Sequence, residues 1–324
     1  MNGRLEKENK AREKMEKKLD KLPEIFTAFY NWMDAREKSY TTMDNYINHV
    51  VEFMNFYTKG KKDNKFYEKV TDNNIEKYMI FIRRKIEDGQ EVEVGDDIRA
   101  AKWSSLNTFF KFLIQKKYIT ENPMLLTERP QVRTKHTVTY MTPKEIESVF
   151  NRIKKESRQK VKNRDMCLVA LGIGMALRVS AIVNINMEDI DFKTGTIRVI
   201  EKERKTRHLK FSENLKNILL IWIKDRELYF GGNEEGPLFI SQKRVRMSDD
   251  AVRDIVKKYT SHLPKHITPH KLRSSAAMNL YSEGVDILTI ASLLGHENVT
   301  TTQRYTKAYD EDKQNATNIL DNLI

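Results

Sequence analysis

The chain has 324 residues and a formal net charge of +12, from 58 Lys and Arg against 46 Asp and Glu. This length allows two domains, and the basic balance favours a polyanionic partner, of which nucleic acid is the leading candidate. No apolar run approaches the ~18 residues of a membrane-spanning helix, and the charged opening argues against a signal peptide. The single cysteine, Cys167, cannot form a disulfide within the chain and is interpreted as a buried hydrophobe. We therefore expect a soluble, cytoplasmic protein that is nucleoid-associated when bound to DNA.

The first half of the chain is predicted to be helical. Residues 1–21 are rich in Lys and Glu and poor in apolar residues, so they should form a solvated, frayed segment rather than a separate DNA-binding module. From 22 to 119 apolar residues recur at helical spacing and predict three or four helices, whose aromatic residues are mostly for packing. The expected N-caps are Thr41 and Asp72, and the expected breaks between helices are Gly60, Gly89 and Gly95.

A proline-containing run separates this half from a second domain. Residues 120–141 are interpreted as an interdomain linker, and the domain 142–324 should open with Thr142 as N-cap and Pro143 at the first helical position. A helix is predicted from about 163 to 177. The alternating segments TIRVIEK and TRHLKF predict two strands joined by a charged turn. Ser212 can cap one later helix, and Ser248 or Asp249 can cap another. The fold class is therefore mainly α with a small antiparallel β-sheet in the second domain (α+β).

Basic residues in both halves are candidates for contacts to phosphates, with an ordinary solvated surface as the alternative. They are Lys102, Lys111, Arg133, Lys135, Lys243, Arg244 and Arg246.

The stretch from 269 to 307 carries the strongest chemical signal. His270 and Arg273 stand one helical turn apart and share a face, His296 follows Gly295, and Tyr305 supplies a hydroxyl. Such a hydroxyl can become a nucleophile if nearby cations lower the cost of its developing charge. Two histidines, an arginine and a tyrosine indicate chemistry on an anion.

The segments HKLR, LLGH and TTQRY, in this order and spacing, closely resemble the second half of the active site of tyrosine recombinases. The first half is matched by Arg178, on the arginine of the family's GLRxSE pattern, and by Lys202, on the lysine of the turn between two strands. Three residues depart from the pattern. Ala181 replaces an acidic residue that helps to brace the site in relatives, and Glu201 and Glu203 replace glycines beside the lysine. The glutamates at 201 and 203 leave Lys205 as a rival of Lys202 for the role of the family's lysine.

The resemblance implies a role for each matched residue. Arg178 and Arg273 would hold two nonbridging phosphate oxygens, and His296 would hydrogen-bond the phosphate. Tyr305 would attack to form a 3′-phosphotyrosyl bond, His270 would assist proton movement, and Lys202 would protonate the departing 5′ oxygen.

This chemistry needs no metal, ATP or other cofactor, and the chain contains no nucleotide-binding glycine motif. His262, His266 and His270 have a metal-like spacing, but Pro264 and Pro269 interrupt any helix that would align them, so we reject a structural zinc site.

The resemblance further implies that 22–119 is a core-binding domain that grips double-stranded DNA. The apolar C-terminal tail would dock on a neighbouring protomer in a homotetramer on paired recombination sites, with an intramolecular cap as the alternative. Accessory DNA-bending proteins are further candidate partners. Within the family, the departures favour the integrase or transposase of a mobile element.

Two other function classes remain open from the sequence. A non-catalytic regulator could use the segment VDILTIASLLGHENVTTTQRY as a helix-turn-helix, although it would not require Arg178, Lys202 and Tyr305 together. A type IB topoisomerase would use nearly the same chemistry without site preference. A covalent protein–DNA adduct separates the first alternative from a recombinase, and site-specific exchange between duplexes separates the second.

Overall fold

The computed structural model describes residues 12–61, 63–87, 89–132, 138–200, 206–231, 236–296, 302, 303, 305 and 306. The chain divides into two compact units, Met1–Thr134 and Lys135–Ile324.

The first unit is helical, as expected from its apolar spacing. Residues 12–19 are helical, followed by α1 (Glu24–Asp34), α2 (Tyr40–Thr58), α3 (Asp72–Phe81) and α4 (Asp96–Gln115), with a 3-10 turn at Phe66–Lys69 between α2 and α3. Stacked and edge-on aromatic rings fill its core, as in the Phe66–Phe109 pair with ring centroids 6.1 Å apart. The interpretation of the aromatics as packing residues is confirmed for this core.

Two expected caps in this unit were wrong by one or two residues. Helix α2 is capped by Ser39, whose hydroxyl accepts a hydrogen bond from the Thr42 amide, and α3 is capped by Thr71 in a capping box with Asn74. Both Thr41 and Asp72 lie inside the first turn of their helices. Neighbouring polar residues compete for the cap, and the tertiary path of the chain decides between them.

A β-hairpin lies where only helix breaks were expected. Strands β1 (Arg84–Glu87) and β2 (Gln90–Glu93) pair antiparallel, with Arg84 opposite Glu93 and Glu87 opposite Gln90. Gly89, with φ of +78°, does separate helices α3 and α4, as expected, but it lies in the turn of this hairpin. All eight strand residues are exposed, so the hairpin has no buried face that would produce an apolar alternation in the sequence.

The second unit combines helices with one small sheet. Its helices are α5 (Pro143–Lys154), α6 (Gln159–Gly174), α7 (Val179–Asn184), α8 (Glu213–Phe230), α9 (Asp249–Thr260), α10 (Pro269–Ser282) and α11 (Ile287–Leu294). Strands β3 (Ile190–Asp191), β4 (Thr196–Ile200) and β5 (Thr206–Lys210) form an antiparallel sheet in that order. The two strands expected around the charged turn are thus β4 and β5.

The cap predictions in this unit are confirmed. Thr142 and Glu145 form a reciprocal capping box with Pro143 at the first helical position, and Ser212 and Ser248 each accept a backbone N–H at the start of their helices. The core lies among α6, α8 and the sheet, and it includes Trp222 and the fully buried Cys167. Within the described part of the chain, no helix is long and apolar enough to cross a membrane.

Candidate active site

Helix α10 carries two of the candidate catalytic residues at its start. Thr268 is the N-cap and Pro269 occupies the first turn, so the exposed His270 lies at the positive end of the helix dipole. Arg273 follows one turn later, and its side chain is only 1% exposed. An anion at this helix end would meet the imidazole and the helix N-terminus together.

The Arg273 guanidinium connects two separate segments of the site. Nη1 donates to the carbonyl of Ala176 at 2.8 Å, and Nη2 donates to the carbonyl of Leu294. Ala176 stands two residues before Arg178, and Leu294 stands two residues before His296. Through these bonds Arg273 fixes the backbone beside Arg178 and His296, the other two candidate phosphate ligands.

The segment before Arg178 has a constrained backbone. Ala176 is fully buried with φ of +50°, a left-handed conformation that costs a non-glycine residue ~1–2 kcal/mol. Arg178 is the half-buried N-cap of α7, and Ala181, which replaces the acidic residue of the family pattern, is buried in that helix. The left-handed backbone at Ala176 was not predicted, because nothing in its local sequence demands φ above zero.

A helix C-cap positions His296. Helix α11 ends at Gly295 with φ of +61°, and the His296 and Gly295 amides donate to Ala291 and Ser292 as in a Schellman motif. The His296 ring is oriented by a 2.8 Å hydrogen bond between Nδ1 and the buried Thr302 hydroxyl. Thr302 is a positioning contact that the sequence analysis did not assign.

Tyr305 is completely buried in a small cluster of its own. The cluster contains Ala176, Ala276, Ala277, Met278, Ile290, Leu294 and Tyr305. The proposed nucleophile therefore packs against the same turn and helix end that Arg273 joins. Lys202 and its rival Lys205 fall on residues 201–205, outside the described residues; strands β4 and β5, which flank them in sequence, pair with each other.

The structure separates the candidate DNA contacts into three groups. Lys111, Lys243 and Arg244 are exposed, whereas Arg133 and Lys135 lie outside the described residues. Lys102 and Arg246 have partners within the protein.

Two basic candidates bond to other groups of the protein. The Lys102 ammonium lies 2.6 Å from Glu52, and the Lys102 side chain is 15% exposed. Arg246 donates to the Val183 carbonyl at 2.7 Å and also to Asn186, and burial lowers its pKa. A phosphate would have to compete with these partners, and contacts of Lys102 and Arg246 to DNA stay a prediction.

Among the residues that the structure describes, no group of three or more His, Cys, Asp or Glu side chains could hold a metal ion. The assembled groups are instead arginine, histidine and tyrosine, which are donors to an anion.

Residues 139–312 match the phage integrase family, and this match spans more than half of the chain. The tyrosine recombinase XerC of Caldanaerobacter subterraneus subsp. tengcongensis is 32% identical, over 92% of this chain and 87% of that protein. This chain belongs to the tyrosine recombinase family. It is an enzyme of site-specific DNA recombination.

Solved structures of this family share the fold. The post-cleavage complex of XerH with a palindromic difH substrate is 20% identical, with a TM-score of 0.66, covering 89% of this chain and 82% of that one. The Tn1549 transposon integrase, in complex with circular intermediate DNA, is 20% identical with a TM-score of 0.63, covering 89% of this chain and 98% of that one. Both likenesses confirm the predicted mainly helical fold with small antiparallel sheets.

Proposed function

We propose that this tyrosine recombinase cleaves and rejoins double-stranded DNA at a specific site through a 3′-phosphotyrosyl intermediate at Tyr305. The observation that supports this proposal is the pair of bonds from Arg273 to the segments that carry Arg178 and His296, with Tyr305 packed on the same segments. Segments from three distant parts of the sequence are held together, as chemistry on a single phosphate requires.

In the proposed reaction, the Tyr305 oxygen attacks the phosphorus while its proton passes to His270, and the bond to the 5′ oxygen breaks. Arg178 and Arg273 stabilise the charge that develops on the nonbridging oxygens, and Lys202 gives its proton to the departing 5′ oxygen. The phosphotyrosyl bond keeps the energy of the cleaved linkage. A 5′ hydroxyl of a partner strand can therefore attack it, which releases Tyr305 and completes strand exchange without ATP.

The burial of Tyr305 adds one requirement to this mechanism. A fully buried hydroxyl cannot reach a DNA phosphate, so the segment that carries Tyr305 must leave its apolar cluster before cleavage. We propose that binding of DNA and of neighbouring protomers drives this change, because both can offer contacts that only the rearranged state makes.

The finer assignment to a mobile-element integrase or transposase stays a hypothesis. The similarity to a protein named XerC favours the chromosome-resolving branch instead. The similarity to the Tn1549 integrase supports only a shared fold. The DNA flanking the gene decides the matter, since an element integrase would lie beside an element boundary or inverted repeats.

We also propose that the enzyme acts as a homotetramer on two DNA sites, with the C-terminal tail docked on the neighbouring protomer. The tail begins with acidic residues and ends with the apolar residues Ile319, Leu320, Leu323 and Ile324. This pattern is typical of a short amphipathic helix whose apolar face packs into a groove. The tail lies outside the described residues. Deletion of 312–324 should weaken cooperative assembly on paired sites more than binding to a single site; equal losses would favour an intramolecular cap.

The proposed function is tested with a nicked half-site DNA that traps the covalent intermediate. We expect an adduct that survives denaturation and forms in excess EDTA, since the phosphate ligands are arginines rather than a metal ion. Absence of any adduct would support the helix-turn-helix regulator, and a requirement for a divalent ion would overturn the arginine mechanism. Relaxation of plasmids of unrelated sequence, without exchange at paired sites, would instead indicate a type IB topoisomerase.

A further inference from the structure

Arg207 connects the strand beside the Lys202 turn to the helix that presents His296. It is the second residue of β5, which begins directly after residues 201–205. Its half-buried guanidinium donates from Nη2 to the carbonyl of Ser292 at 2.7 Å and to that of Leu293 at 3.1 Å. These two carbonyls belong to the last turn of α11.

The last turn of α11 is where a cation binds most favourably. The final carbonyls of a helix lack partners within the helix and carry its partial negative charge. Here these carbonyls accept hydrogen bonds from two backbone amides, those of Gly295 and His296, and from two arginine side chains. Arg207 donates to the carbonyls of Ser292 and Leu293. Arg273 donates to the carbonyl of Leu294. Arg207 and the phosphate ligand Arg273 therefore bond to adjacent peptide groups of one helix end.

Strand pairing connects Arg207 to the residues on both sides of Lys202. Arg207 pairs with Val199, and the next pair, Ile200 with Thr206, is the last described pair before residues 201–205. Any shift of Arg207 relative to α11 thus moves Ile200 and Thr206, the two residues that flank the segment containing Lys202. Because general acid catalysis needs the proton within hydrogen-bond reach of the leaving oxygen, such a shift changes the rate of cleavage.

We propose that Arg207 is a positioning residue, which sets the distance between the general acid Lys202 and the phosphate ligands His296 and Arg273. This inference rests on the proposed function, in which Lys202 protonates the departing 5′ oxygen. Arg207 itself does not contact the phosphate in this proposal. Its effect is exerted through Lys202.

The test compares Arg207→Met with wild type on two half-site DNAs, one normal and one with sulfur at the bridging 5′ position. A thiolate leaves without a proton, so the sulfur substrate does not depend on the general acid. On normal DNA we expect adduct formation to slow about 10- to 100-fold, the loss typical of a misplaced catalytic group. On the sulfur substrate most of this loss should disappear, and the Kd for DNA should stay nearly unchanged on both.

Matched variants separate positioning from charge and from folding. Lys210→Met removes a cation from the same strand and should leave both rates nearly unchanged. Arg207→Lys keeps the charge at the helix end and should recover part of the rate, and it serves as the main variant if Arg207→Met does not fold. In a Lys202→Ala background, Arg207→Met should cost little further, because the group that it positions is already gone.

Equal slowing of Arg207→Met on both substrates would overturn the proposal, as would a full additional loss in the Lys202→Ala background. A lowered Tm with unchanged rates would mean that Arg207 only stabilises the fold, which also contradicts it. Failure of the wild-type enzyme to form an adduct, or of Lys202→Ala to recover on the sulfur substrate, would instead count against the proposed function.

Discussion

The Arg273 side chain donates to the backbone carbonyl of Ala176 at 2.8 Å, across 97 residues of sequence. Ala176 precedes the candidate phosphate ligand Arg178 in a left-handed turn, so the bond braces a backbone that would otherwise relax. The same guanidinium also bonds to Leu294 near His296. Arg273 is thus a structural brace as well as the proposed ligand of a phosphate oxygen.

The double role of Arg273 predicts a loss of stability together with a loss of activity. In Arg273→Lys, a compact ammonium replaces the planar guanidinium and cannot donate to the Ala176 and Leu294 carbonyls at the same time. The lost hydrogen bond should lower the unfolding free energy by about 1.5–3 kcal/mol. Urea unfolding measures this loss. Arg226→Lys is the matched control, because Arg226 is equally buried and bonds to the Pro237 carbonyl outside the site. It should lose stability while the folded protein still forms the DNA adduct; unchanged unfolding of Arg273→Lys would contradict the brace.

Close packing of α6 against α10 predicts a strong effect at one glycine. A Cβ added at Gly172 would lie 2.9 Å from Leu272 Cδ1, and Leu272 is buried beside Arg273. Gly172→Ala should therefore lower the unfolding free energy by about 1–3 kcal/mol through overpacking. Gly174, in the same helix, has no neighbour within 4 Å of such a Cβ. Its alanine variant should be neutral or gain up to about 1 kcal/mol, and similar losses for both would rule out overpacking as the cause.

A surface carboxylate predicts a specific dependence of stability on pH. Glu156 lies 2.9 Å from the Arg158 Nε and 2.5 Å from the Lys258 ammonium, and these hydrogen bonds hold its pKa well below the ordinary value. Because the folded pKa is depressed, its stabilisation is present above the unfolded pKa of about 4.3 and is lost as pH falls through the folded pKa. Glu156→Gln should lose at most about 1 kcal/mol at pH 7. The difference from wild type, measured by urea unfolding, should shrink below about pH 4.

The exposed Glu147 of α5 provides the control for that experiment, since Glu147→Gln also removes one negative charge. Its effect should be small and should not follow the acid transition of Glu156. If the unfolding free energy of Glu156→Gln stays equally far below that of wild type at low pH, packing rather than ionic pairing stabilises this contact.

Sequence patterns predicted those elements whose signals are local. Thr142, Ser212 and Ser248 were identified as caps because a short polar side chain directly precedes an apolar helical periodicity. Strands β4 and β5 were recognised by alternation. Local chemistry is sufficient for such features, whereas the set of site residues that the family motifs indicate stays a prediction.

Features that depend on distant contacts could not be predicted in this way. The left-handed backbone at Ala176 depends on Arg273, and the inward position of Arg246 depends on the carbonyl of Val183. The β1–β2 hairpin has no buried face, so Gly89 was the main local signal in its sequence, and this glycine was interpreted as a break between helices. Arg207 follows the predicted turn, but only the structure shows which carbonyls it bonds.

The role of Lys202 can be tested separately from its importance. Lys202→Ala should be slow on normal DNA and substantially restored on DNA with a bridging 5′ sulfur, since a thiolate needs no proton to leave. Lys205→Ala should lose little on either substrate, apart from a salt-sensitive loss of phosphate affinity. Single-turnover rates of adduct formation provide the measurement. Equal slowness of Lys202→Ala on both substrates would mean that Lys202 positions the phosphate or the turn, leaving Lys205 and His270 as candidate acids.

The nucleophile is the central claim, and the choice lies between Tyr305 and Tyr309, one helical turn further along the sequence. Removing one hydroxyl changes no charge, so both phenylalanine variants should bind DNA nearly as well as wild type. Tyr309 lies outside the described residues, whereas Tyr305 packs against the Arg273-linked segments.

The most direct measurement is covalent trapping of Tyr305→Phe and Tyr309→Phe on a nicked half-site, followed by mass spectrometry of the DNA-linked peptide from wild type. Tyr305→Phe should form no adduct, Tyr309→Phe should form it at close to the wild-type rate, and the modified peptide should contain Tyr305. An adduct that persists in Tyr305→Phe and disappears in Tyr309→Phe would contradict the assignment of the nucleophile and the site built around it.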